Sequence, residues 1–298
     1  MAVLIDILNE QQKQQNDLNY LLGKPIFYNL KHIEYLNSEE YRIYEYPFKS
    51  EVCQKDKVQY VDIDGVQYNK LTGQQRTDES IEHSKNSSLS RTKQKIYDYA
   101  FCNDWSNGWF LTFTFDNEKV ENRYDYDVCY KRINTFLRVL KRNNPDCKYL
   151  IVPERHKDGA WHFHGLLTNC DNLKMIDSGK FSKGKHIYNH EVKDSKKIYN
   201  INSRNWKYGF TTATKVEDTK KVSSYITKYI TKDLIETTNG KHRYIYSKNL
   251  DLPKVTNTFE TDNDLTEQLL TQHNNNFEYE KKYVSERFGT IKYIHFKK

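Results

Sequence analysis

The chain has no CxxC pair, no internal repeat, no apolar run of membrane-spanning length and no GxxxxGK loop followed by Ser or Thr. Its five cysteines (Cys53, Cys102, Cys129, Cys147, Cys170) are scattered, which argues against a zinc ribbon. An odd, unpaired set of thiols fits a reducing cytoplasm. Without about 20 consecutive apolar residues there is no transmembrane helix to expect, and no membrane partner. The apolar patch at residues 3–8 is broken by Asp6 and lacks a basic leader, so it does not read as a signal peptide. The missing repeat excludes solenoids and propellers, and the missing phosphate loop excludes a nucleotide-driven motor in this chain.

What is present is basic and rich in tyrosine. Lys+Arg number 47 against 40 Asp+Glu, a net charge of +7, and tyrosines number 24. The charge suggests a nucleic acid partner. Tyrosine suits strand-rich cores and surfaces that stack on bases, although AT-rich coding bias also enriches Tyr, Asn, Lys and Ile together. A length of 298 residues allows one substantial domain with extensions, or two small ones.

Hydrophobic periodicity then orders the chain. Residues 58–68 alternate around Asp64-Gly65, a hairpin signal. Residues 77–90 are rich in Ser, Asn and Glu and read as a linker, followed by a helix over 92–102 with Ser90 as its cap. Residues 109–115, Trp-Phe-Leu-Thr-Phe-Thr-Phe, read as a strand ended by Asp116-Asn117. Residues 127–142 carry Val128, Ile133, Phe136, Leu137 and Leu140 at helical spacing. Two strands follow, 148–156 and 160–167, joined by Lys157-Asp158-Gly159. Residues 171–205 read as a loop-rich, lysine-rich insertion, 210–216 as a strand, 219–234 as a helix and 289–296 as a late strand. This order predicts an α+β fold, a mostly antiparallel sheet covered on one face by helices. The domain boundaries expected are an N-terminal extension over 1–89, a main domain over 90–250 and a C-terminal extension over 251–298.

The 160–167 strand contains His162-Phe163-His164. Side chains alternate faces along a strand, so both imidazoles project from one face and suit chelation of a divalent ion. The preceding loop decides whether a third ligand joins them. A three-residue loop ending in a left-handed glycine makes paired positions sum to 316 and sets Glu154 opposite His162. A two-residue Asp-Gly loop would instead pair Glu154 with Phe163. The first alternative, which Lys157-Asp158-Gly159 fits, gives a Glu154/His162/His164 triad with open positions for phosphate oxygen on Mg²⁺ or Mn²⁺. His156 reads as a turn-flanking surface residue.

On a helical wheel of roughly 100° per residue, Val222, Ile226, Ile230 and Leu234 form an apolar stripe. Tyr225 and Tyr229 share the neighbouring sector with Lys221, Lys228 and Lys232. An ordinary amphipathic helix would look the same. Beside the histidines, the sector also offers phenols near ammonium groups that attract phosphate, competent together to form a covalent phosphotyrosine.

These residues resemble a known family. His162-Phe163-His164 is similar to the histidine–hydrophobe–histidine signature of HUH endonucleases. Tyr225-Ile226-Thr227-Lys228-Tyr229-Ile230-Thr231-Lys232 is similar to the YxxKYxxK motif of two-tyrosine rolling-circle replication initiators of phages and plasmids. Residues 110–115 resemble the first motif of such proteins, and all three stand in the family's order. The resemblance covers about residues 90–250. It implies an RRM-like core of five antiparallel strands with flanking helices. It also implies a metal-dependent nickase and strand transferase acting on single-stranded or hairpin origin DNA in the cytoplasm of a bacterial host. The product would be a 5′-phosphotyrosine and a 3′-OH that primes a host polymerase, with unwinding left to a host helicase. Carried over by position, His162 and His164 are metal ligands, with Glu154 as the third. Tyr225 is the first nucleophile and Tyr229 the second, and Lys228 and Lys232 lie beside the phosphate or metal. An HUH transposase or relaxase shares these motifs, and a DNA-binding protein that keeps the fold without catalysis is the other alternative.

Overall fold

The computed structural model describes residues 2–21, 26–49, 59–182, 185–186, 192–193, 195–238, 240–261, 265–273, 276–285 and 287–298. Contacts divide the chain into two compact units, Met1–Thr77 with Pro253–Lys298, and Asp78–Leu252. No helix among the described residues is long and apolar enough to cross a membrane.

The first unit begins with helix α1 (Ala2–Leu21), strands β1 (Phe27–Glu34) and β2 (Ser38–Lys49), and the hairpin β3 (Tyr60–Ile63) and β4 (Val66–Asn69). Asp64 and Gly65 at the hairpin tip both have positive φ, as the Asp-Gly signal predicts, while Val58 lies outside the described residues. The second unit contains α2 (Asp78–Phe101), β5 (Trp109–Phe115), α3 (Tyr126–Asn143), β6 (Lys148–Arg155), β7 (Trp161–Thr168), β8 (Met175–Phe181), β9 (Lys185–His186), β10 (Val192–Lys193), β11 (Lys197–Ile201), β12 (Gly209–Lys215), α4 (Thr219–Ile226), α5 (Lys232–Thr237) and β13 (Ile245–Tyr246). The chain then returns to the first unit as β14 (Lys254–Thr258), α6 (Leu265–Gln272), β15 (Phe277–Ser285) and β16 (Gly289–Lys297).

In the first unit the two ends of the chain share one antiparallel sheet of order β14-β1-β2-β16-β15. Leu30 and Tyr41 pack with Ile294, Phe296 and Leu269 of α6. Only β16 of this sheet was legible in the sequence. Strands β1 and β2 carry Tyr, Lys and Glu on both faces, so the alternation that marks a half-buried strand is blurred.

The second unit is built on a sheet of order β13-β6-β7-β5-β12-β11-β8. The α+β class is as expected. The sheet has seven strands where the family resemblance implies five, because β8 and β11, within the segment read as loop, extend its edge beyond β12. Helices also cover both faces rather than one. On β5, Leu111, Phe113 and Phe115 are buried, and Phe113 meets Phe136 of α3 at 5.4 Å between ring centroids. The alternate residue Phe110 meets Tyr225 of α4 at 5.3 Å on the opposite face.

Helix α3 starts where the Asp125 side chain accepts from the Asp127 and Val128 amides, and Lys141 and Arg142 complement its C-terminal dipole. Helix α2 begins much earlier than expected, since residues 78–90 are helical rather than a linker. Its first half buries no residue fully and so shows no apolar period, while Asp78 and Glu79 favour its N-terminus.

The β6–β7 hairpin follows the three-residue loop. The His156 amide donates to the Ala160 carbonyl and the Gly159 amide to the His156 carbonyl, each at 2.8 Å, with Gly159 at φ 89°. Glu154 therefore pairs with His162 and Arg155 with Trp161. A side chain at Gly159 would be strained in that left-handed conformation. Gly159→Ala is expected to cost about 1–2 kcal/mol, read as a lower urea midpoint with an unchanged slope.

Candidate active site

The site is assembled from β5, β6 and β7 below and α4 above. Registers Thr112↔His164 and Thr114↔His162 place a hydroxyl beside each imidazole on the sheet face that α4 covers. Thr112 Oγ1 lies 3.1 Å from His164 Nδ1, and Thr114 Oγ1 lies 3.4 Å from His162 Nδ1. Each hydroxyl engages Nδ1 and so leaves Nε2 as the outward nitrogen. Glu154 Oε2 lies 2.7 Å from His164 Nε2. That hydrogen bond holds the Glu154 carboxyl below its usual range against the opposing effect of burial. Burial, together with His156 and His164, pushes the His162 imidazole below its ordinary value, so it stays neutral at neutral pH. Neutral imidazole is the form that coordinates a metal.

His156 belongs to the same face. Its ring stacks on His162 with centroids 5.0 Å apart, and its Nδ1 lies 3.2 Å from Asp158 Oδ1. Its place beside the turn reads as a plain surface position in the sequence, yet the pairing rule that brings Glu154 to this face brings His156 too. Thr112 and Thr114 were also missed; the signal available was their alternation with Leu111, Phe113 and Phe115 on β5.

The segment over 219–234 is not one helix. Helix α4 ends at Ile226, a 3₁₀ turn covers Thr227–Tyr229, and Ile230 is extended (φ −87°, ψ 96°) before Thr231 caps α5 through the Leu234 amide. The apolar stripe survives the break, with Ile226, Ile230 and Leu234 buried, although Val222 is only half-buried. The tight turn still puts Tyr225 and Tyr229 together, their rings 5.5 Å apart at 85°.

The two tyrosines differ in setting. Tyr229 lies flat on His164 with ring centroids 3.6 Å apart. Burial first, then the hydrogen bond shared with Tyr225, pushes its phenol above the ordinary range. Tyr225 is 43% exposed and borders a groove of about 750 Å³ floored by Phe110, Thr212, Thr214 and Ile198 and walled by Lys221. Lys228 Nζ sits 5.1 Å from the centre of the Tyr225 ring, within cation–π range, and no carboxylate among the described residues pairs with it. Lys232 opens α5, and its side chain lies outside the described residues. The structure thus brings Glu154, His162, His164, Tyr225, Tyr229 and Lys228 to one face.

Another aromatic lies on this face. Phe210 pairs with Thr114, is 62% exposed, and has Lys119 Nζ 5.0 Å from its ring centre. The unit that carries the site is also the basic one. The Asp78–Leu252 unit holds 31 Lys+Arg against 22 Asp+Glu, net +9, while the other unit holds 16 against 18, net −2.

Residues 108–234 match the family model described as replication-associated protein ORF2. The match runs from the residue before β5 to the middle of α5, so it spans both histidines and both tyrosines. It supports a replication initiator protein, with DNA as partner. Neither the curated proteins nor the solved structures contain a match to the chain.

Among the described residues, no three His, Cys, Asp or Glu side chains are gathered closely enough to count as a metal cluster. The donor types nonetheless suit a hard divalent ion: two imidazoles and one carboxylate on one sheet face, with both Nδ1 atoms engaged by hydroxyls.

Proposed function

We propose that this chain is a replication initiator of the HUH nickase type, which opens one DNA strand at an origin through a covalent 5′-phosphotyrosine and later rejoins strands. The observation that carries this reading is the convergence of Tyr225, in the last turn of α4, and Tyr229, in the 3₁₀ turn after it, onto the imidazole face of β7, with Tyr229 stacked on His164 at 3.6 Å. Tyr225, exposed beside the groove, attacks first. Its Oη bonds to phosphorus while the P–O3′ bond breaks, and the phenolic proton is balanced by one taken up at the leaving 3′ oxygen. The 5′ end stays on the tyrosine, and the free 3′-OH passes to a polymerase, with strand separation left to a helicase partner. Tyr229, shielded until the His164 ring is uncovered, serves the second transfer.

His162, His164 and Glu154 would hold the Mg²⁺ or Mn²⁺. When bound, that ion withdraws charge from a non-bridging phosphate oxygen. Lys228 contributes positive charge on the tyrosine side of the phosphate, and the motif's spacing gives Lys232 the same part. Incubation with a single-stranded oligonucleotide carrying the replicon's origin and Mn²⁺ tests the reading. A protein–DNA adduct stable to denaturing electrophoresis is expected, and cleavage leaving only free 5′ ends would sink it.

Two further outcomes follow from the neighbours of the site. Thr112→Val removes the hydroxyl on His164 Nδ1 at nearly constant volume and frees the ring to change tautomer. Mn²⁺ affinity measured by titration calorimetry should fall about 10–100-fold, with thermal stability little changed. Phe210 offers an exposed ring on which a base of the bound strand can stack. Phe210→Ala should weaken single-strand binding by about 1–3 kcal/mol in fluorescence anisotropy. Unchanged affinity in either variant removes the role assigned to that residue.

A further inference from the structure

The second unit has a basic surface that the proposed chemistry does not use. Helix α3 carries five Lys or Arg residues against one Asp. On a wheel of roughly 100° per residue, Lys131, Arg138 and Arg142 form one stripe directly opposite the buried stripe of Ile133, Phe136 and Leu140. The acid at the N-terminal end of this stripe, Asp127, is paired with Lys241 at 2.8 Å, so the stripe from Lys131 onward is cationic. Its flank opens into a groove of about 680 Å³ against β6, lined by Tyr130, Lys131, Arg138, Lys141, Arg142 and Tyr149 among others, none of them acidic. Arg138 and Arg142 form no ion pair among the described residues, and both are exposed. Lys141 is held in place by donating to the Cys147 carbonyl at 2.8 Å.

This surface lies across the sheet from the tyrosines. Phe136 of α3 packs on Phe113, and Phe110, on the other face of the same strand, packs on Tyr225. A strand lying at Tyr225 therefore does not run through the α3 groove.

We propose that the α3 groove binds the phosphate backbone of duplex DNA, separately from the single strand held at the tyrosines. Its lining is of the kind that contacts phosphate: Arg and Lys for charge, with tyrosine hydroxyls as further donors. The Asn134 and Thr135 side chains already donate to the Tyr130 and Lys131 carbonyls, so the cations carry the contact. The choice of DNA as the polyanion rests on the reading of the chain as an initiator. The charge, the groove and its place across the sheet do not.

The test uses the full chain with Arg138→Glu/Arg142→Glu, and anisotropy of a labelled duplex between 50 and 200 mM salt, on the order of the range that resolves phosphate contacts. Duplex affinity should fall at least tenfold. The slope of log K against log salt should become shallower by about 2, from two lost phosphate contacts at roughly 0.9 each. The yield of covalent single-strand adduct should not change, and that arm reports separately on the nickase reading. Lys254→Glu/Lys282→Glu, an equal charge change at exposed positions of the other unit, should leave duplex binding near wild type. Arg138→Gln/Arg142→Gln, checked by circular dichroism, replaces the reversal if that variant misfolds. Unchanged duplex affinity and slope overturn the proposal and leave the groove to an acidic protein. An equal loss in the Lys254/Lys282 control overturns it too, since net charge would then explain the effect.

Discussion

Tyr225→Phe should lower covalent adduct formation on a single-stranded origin oligonucleotide by at least about 100-fold, and Tyr225→Phe/Tyr229→Phe should abolish it. The asymmetry comes from the two settings. Tyr225 is 43% exposed beside the groove, while Tyr229 is packed on His164 with its phenol pushed up by burial. Tyr229→Phe should therefore spare the first cleavage and impair strand rejoining, measured as adduct that accumulates without turning over. Phenylalanine keeps the ring, and with it the contacts to Phe110 and His164, so the fold should be retained. If the double variant forms as much adduct as the wild type, neither tyrosine is the nucleophile.

The second large effect is expected at His164. This residue is buried, its Nδ1 is engaged by Thr112, and its Nε2 meets Glu154. His164→Ala deletes one of two imidazole donors and leaves the Glu154 carboxylate without its closest partner. Cleavage should fall at least about 100-fold, and EDTA should produce the same loss in the wild type. Calorimetry should show Mn²⁺ binding weakened in the variant, which separates loss of the ion from loss of the active fold. Full activity of His164→Ala in EDTA would remove the metal from the mechanism. His156→Ala serves as a comparison, because its ring stacks on His162 from the exposed loop end while its Nδ1 faces Asp158, and a small effect is expected.

The site was legible in the sequence wherever local pattern fixes geometry. The Lys157-Asp158-Gly159 loop determines its own turn type, and the turn determines the register that sets Glu154 opposite His162. What lies across a strand from the histidines was not legible in the same way. Thr112 and Thr114 reach Nδ1 only because β5 pairs with β7 in one register over some 50 residues of intervening chain. The tyrosine segment was half legible. Its apolar period gave the buried side, but periodicity does not show that Ile230 leaves the helix, since a single extended residue hardly disturbs the stripe. In the fold, strong one-faced elements such as β5 and α3 stood out. The first half of α2 and strands β1 and β2 did not, having polar or aromatic residues on all sides. The pairings β1–β14 and β2–β16 join opposite ends of the chain, and no local window contains them.

The central claim is that a tyrosine of the Tyr225–Tyr229 turn becomes joined to DNA. Protease digestion of the adduct, followed by mass spectrometry of the nucleotide-bearing peptide, tests it most directly. The expected result is a 5′-phosphodiester on Tyr225 in the first turnover, with Tyr229 modified only after strand transfer. An adduct on any residue outside this pair, or none at all under Mn²⁺, would contradict the account.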